Sequence, residues 1–171
     1  MPNPHPIIVH FAIGLFVTAI VAEILAYFLK SKLWNLVALV NGGIAAAAAF
    51  AAVVTGLMAK PLVTAGPAVF VLESHETMGY LVLATALVFT GLKFYGHWRP
   101  SERFVTATVG AGLLGLVFTV IAAHEGGELV YRYGVGVRKD APQEVQKYPY
   151  GRPLTAPADS TGDSTSTPPG N

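Results

Sequence analysis

The chain has 171 residues, 53% of them apolar, with 11 Lys or Arg, 10 Asp or Glu and a net charge of +1. That is about half the ~25% charged share of a soluble domain, and the charges leave residues 1–22, 33–59, 77–92 and 104–124 entirely uncharged. A membrane protein follows, and nucleic acid is set aside because no dense basic patch exists to meet phosphates. The chain has no cysteine, which excludes disulfides, thiolate metal sites, iron–sulfur clusters and covalent haem attachment.

Set against the ~20 apolar residues that cross a hydrocarbon core, the four uncharged stretches predict an all-α, integral membrane four-helix bundle. The first span is expected over about 7–29, entered through Pro4 and Pro6, since proline suits a first helical turn. Met1-Pro2-Asn3-Pro4 lacks the positive n-region of a secretory signal, so this segment is expected to stay attached as a span. The second, about 33–59, starts at an interfacial Trp34, has an Ala-rich middle suited to close helix packing, and ends before Pro61.

Residues 61–72 read as an apolar connector that lies in the interface or extends the next helix. A third span is expected over about 75–95, capped by Ser74 and closed by Gly96 to Pro100. The fourth is expected over about 104–124, with Gly110, Gly112 and Gly115 giving close packing or room for a flat ligand. After Gly126-Gly127 the chain reads as a cap over the bundle mouth. The transmembrane domain is thus residues 1–137, followed by a polar tail, 138–171, too poor in apolar residues to order itself. No repeat of the 20–50-residue kind is visible.

Alternating spans share two faces. Face A holds the start of spans one and three and the end of spans two and four, and so collects His5, His10, His75 and His124, leaving only His97 on face B. His10 lies deepest in an uncharged helix, where ionisable groups generally mark function. His10, Gly14 and Thr18 align at helical spacing, as do His75 and Gly79, leaving space beside each imidazole. Glu73, Glu76, Glu125 and Glu128 share the face, and carboxylates near ligating histidines often accept the second ring N–H.

Met58 and Met78 read as packing, His97 as an interfacial residue beside Trp98, and Glu23 as a partner for Lys93 or another face B group. Lys30, Lys32, Lys93, Arg99 and Arg103 gather on face B, which the positive-inside rule makes cytoplasmic. Both termini are then expected on the periplasmic side of a bacterial inner membrane.

The segment His5-Pro6-Ile7-Ile8-Val9-His10-Phe11 resembles the opening of an uncharacterised family of bacterial four-helix membrane proteins, whose members begin His-Pro-x-x-Val-His-Phe-Pro. The segment Gly126-Gly127-Glu128-Leu129-Val130-Tyr131 and Gly134-Val135-Gly136-Val137 resemble the family's closing motifs. The chain departs from the pattern at Ala12, where proline is usual. The resemblance implies a four-helix membrane domain, and such domains are found beside c-type cytochromes.

These residues lead to haem b held at face A by two imidazoles, His10 with His124 or His75, in an electron-transfer protein or subunit rather than a stand-alone enzyme. A periplasmic cytochrome c or a larger membrane redox complex is the expected partner, alongside membrane lipid. The alternative is a non-haem site in which His5, His10, His75 and His124, with glutamates, bind iron, zinc or copper. A third reading is an accessory subunit whose histidines only anchor and pack.

Overall fold

A computed structural model describes residues 4–60 and 67–136. The polar tail expected over 138–171 lies outside the described residues. Four helices run in sequence, α1 (His5–Leu29), α2 (Lys32–Ala59), α3 (Ala68–Trp98) and α4 (Glu102–Tyr131). All four are long and apolar enough to cross a membrane. Short connections at 30–31 and 99–101 force antiparallel hairpins α1–α2 and α3–α4, the first turned by Lys30 in the left-handed region at φ 48°.

Two boundaries differ from expectation. Helix α3 begins at Ala68, so Ser74 lies inside it and is not a cap. Helix α4 runs through Gly126-Gly127 to Tyr131, with its neighbour packed onto Gly126, as described below. It stops where Gly134 takes φ +67°. Gly134 N–H then donates to Val130 O at 3.1 Å and Val135 N–H to Leu129 O at 2.9 Å, the first being the 5→1 bond of an αL ending, which needs a left-handed residue.

The two hairpins repeat one another at a spacing of 70, the separation of Glu23 and Lys93. Phe16, Ala19 and Glu23 of α1 are buried, and so are Ala86, Phe89 and Lys93 of α3. Ala38, Gly42, Ala45 and Ala49 of α2 are matched by buried Thr108, Gly112, Gly115 and Thr119 of α4. Contacts are reciprocal as well. A Cβ on Gly112 would lie 3.0 Å from Ile20, and one on Gly42 would lie 3.3 Å from the equivalent Thr90. Such reciprocity defines a twofold relation, here a pseudo-twofold axis running along the bundle.

The core lies at mid-bundle, where Phe16 and Phe89 meet edge to face at 5.8 Å among Ala19, Ile20, Ala45, Ala46 and Ala86. Two aromatic rings fit because the facing helices carry glycine and alanine, which let backbones approach. A Cβ on Gly115 would lie 2.6 Å from Phe16 and 2.7 Å from Thr85, whereas one on Gly110 would meet nothing within 4 Å. Phe16 is pinned against Phe89, so Gly115→Ala is expected to cost about 1–3 kcal/mol. Gly110→Ala should be neutral or stabilise by up to about 1 kcal/mol. Thermal unfolding of both variants in detergent checks the contrast, and equal effects would contradict this packing.

Candidate functional site

The inward stripe of α1 is His5, Ala12, Phe16, Ala19, Glu23 and Ala26, in which spacings of seven, four and three keep side chains on one helix face. His5 therefore points into the bundle at face A, and His75, its equivalent on α3, does the same. Their rings lie perpendicular with centres 6.3 Å apart. Both are half-buried.

Each imidazole is fixed in the same way. His5 Nδ1–H donates to Ala52 O of α2 at 2.8 Å, with Thr55 Oγ1 at 3.3 Å, and His75 Nδ1–H donates to Ala122 O of α4 at 2.9 Å. The sequence separation is 47 in both. Each ring also lies on a glycine, since a Cβ on Gly56 would be 3.0 Å from His5 and one on Gly126 would be 3.1 Å from His75. These glycines let the imidazoles reach backbone carbonyls of the neighbouring helices. A ring whose Nδ1–H donates is the tautomer that carries its lone pair on Nε2.

His10 and His124 are placed differently. Both lie on the outer surface of the chain, and His10 Nδ1–H donates to Pro6 O of its own helix at 2.6 Å. The structure brings together His5 and His75, not His10 with either expected partner. The reason is helical phase, since five residues at 100° each turn His10 about 140° away from His5. His97 lies exposed against Trp98 at face B, with ring centres 6.1 Å apart.

The glutamates do not take the second imidazole N–H, as had been expected of them; backbone carbonyls do. Glu76 accepts from Lys60 at 2.6 Å and Tyr80 at 3.0 Å, and Glu128 pairs with Arg132 at 2.7 Å. The Glu76 hydrogen bond and charge hold the Lys60 ammonium above the ordinary lysine value. Glu125 accepts from Ser74 at 2.5 Å, while its Oε2 is buried without a hydrogen-bond partner. Glu73 is exposed. Among the described residues no three His, Asp or Glu side chains converge as a metal site.

A family model described as a predicted membrane protein, DUF2231, matches residues 2–139. The chain belongs to the DUF2231 family. No curated protein and no solved structure matches it. The match covers both hairpins of this DUF2231 chain, and with them the His5–His75 pair and its glycine supports. What sequence reasoning missed is that support: Ala52, Gly56, Ala122 and Gly126. The signal was a glycine 51 residues after each of two histidines, visible only on comparing the chain with itself at a shift of 70.

Proposed function

We propose that this chain binds one haem b through His5 and His75 and passes electrons in the bacterial inner membrane. The observation that carries the reading is the pair of symmetry-equivalent imidazoles with ring centres 6.3 Å apart and each Nδ1 locked to a carbonyl. Two imidazoles that shared one metal would have ring centres about 6 Å apart, a spacing that supports His5 and His75 as the residues that would hold the iron. Haem needs only two ligands from the protein, and a pair of imidazoles is what supports this reading.

The interior below the pair is also suitable. Ala12, Ala49, Ala52 and Thr119 are buried and Gly79 and Ala122 half-buried between the imidazoles and the Phe16–Phe89 floor, so a flat ring would meet small side chains there once the closely packed helices part. When bound, haem supplies a one-electron ferric–ferrous couple. The protein's part is to orient both imidazoles, exclude water by the apolar floor, and present the site at face A. There a periplasmic cytochrome c or a membrane redox complex would exchange the electron.

The detergent-purified protein, produced with haem supplied, should contain iron and acid-extractable haem at about one per chain. Stoichiometric zinc or copper with no extractable haem would defeat the reading in favour of a non-haem site. For orientation, the cluster of Lys30, Lys32, Arg99 and Arg103 supports a cytoplasmic face B by the positive-inside rule. A periplasmic reporter fused after Val137 is expected to be active, and activity of only a cytoplasmic reporter there would reverse the topology.

A further inference from the structure

At face B, about 27 Å along α1 from His5 at 1.5 Å per residue, the pseudo-twofold axis carries a second polar cluster. Lys93 donates to Glu23 Oε2 and to Asn35 Oδ1. The side chains of Glu23 and Lys93 are 2% and 8% exposed. Glu23 borders a cavity of about 220 Å³ whose walls include Tyr27, Lys30, Asn35, Glu102 and Val105. Lys30 caps α1 and Glu102 begins α4, so the mouth of the cavity lies at the membrane surface. Its floor, at Glu23, is seven residues or about 10.5 Å deeper than Lys30.

The charges around this cavity have a definite order. Glu23, Lys30 and Glu102 line it, and Glu23 is already neutralised by its ion pair with Lys93, so the set carries no net charge and a singly charged ligand gains little. A zwitterion suits it better, with its cation turned to the carboxylates and its anion to Lys30 at the rim. At the surface of a membrane the abundant zwitterion of that shape is a phospholipid head group. A primary ammonium can donate three hydrogen bonds, for which the Glu23 and Glu102 carboxylates of the cavity wall are acceptors, whereas a quaternary ammonium can donate none.

We propose that this cavity between α1, α2 and α4 is a binding site for the head group of an ethanolamine phospholipid of the face B leaflet. The ammonium lies at Glu23 and Glu102 and the phosphate at Lys30. The site stands on the membrane placement of the helices and is independent of haem binding.

The test is thermal unfolding of the delipidated full-length protein in detergent, with dioleoyl phosphatidylethanolamine, phosphatidylcholine or phosphatidylglycerol added to the micelles. At a tenfold excess over Kd the ethanolamine lipid is expected to raise Tm by about 3–5 °C more than either of the others. Glu102→Gln should abolish that preference, and so should Val105→Phe, which fills the cavity and leaves the ion pair untouched. Equal shifts with all three lipids would overturn the proposal, as would full retention of the preference in both variants. Reproduction of the shift by soluble phosphoethanolamine alone would overturn the lipid assignment.

Discussion

Replacing Lys93 by Met, with Glu23 left in place, is expected to destabilise the bundle by about 3–5 kcal/mol, the usual cost of leaving one member of a buried ion pair unpartnered. Glu23 and Lys93 stand across the bundle diagonal, on α1 and α3, and both are buried. Asn35 accepts from Lys93 and cannot neutralise a carboxylate. The double variant Glu23→Gln/Lys93→Met should recover most of the loss, because a hydrogen-bonding amide beside an apolar chain of similar length leaves no buried charge. Denaturant unfolding in detergent measures all three. A Lys93→Met variant no less stable than the double variant would show that the pair is not a working contact between α1 and α3.

The second large effect concerns cofactor retention. His5→Ala and His75→Ala should each abolish stoichiometric haem, since either leaves the iron with one imidazole from the pair, while His10→Ala and His124→Ala should keep it. The contrast arises because His5 and His75 face each other across the axis and the other two histidines lie on the outer surface. Thr55→Val and Gly126→Leu provide graded companions. Thr55 lies near His5 Nδ1, so its loss leaves the Ala52 bond and a modest effect. A leucine at position 126 would displace His75 from its place on α4. Haem content assayed after gel filtration separates the variants. Loss in His10→Ala with retention in His5→Ala would return the ligand role to the deeper histidine.

Four membrane helices were legible because uncharged stretches of spanning length are a strong signal, and the Glu23–Lys93 partnership was legible because an isolated charge inside a span needs a partner. Which side of each helix faces inward was harder to read. In a membrane the outer face is as apolar as the core, so hydropathy carries no inward direction; small residues mark the contact instead. Read that way, Ala12, Ala19 and Ala26 continue in steps of seven from His5 and leave His10 outside.

The start of α3 at Ala68 was obscured by the prolines and glycine of 61–67, and the passage of α4 through Gly126-Gly127 by the helix-weakening reputation of glycine. Gly126 stays helical because the His75 imidazole packs where its side chain would be. The repeat escaped notice because the equivalent positions preserve burial rather than identity: Phe16 matches Ala86, Ala19 matches Phe89, and Glu23 matches Lys93. His5 with His75, Gly42 with Gly112, Ala52 with Ala122 and Gly56 with Gly126 are identities, and three of these four pairs belong to the imidazole site.

The most direct measurement is the visible absorption spectrum of the detergent-purified full-length protein, air-oxidised and then dithionite-reduced, beside His75→Ala prepared in the same way. The account predicts sharp reduced bands of a six-coordinate b-type haem in the wild type and their loss in the variant. A wild-type protein produced with haem in supply but lacking those bands, or a His75→Ala spectrum identical to the wild type, would contradict it.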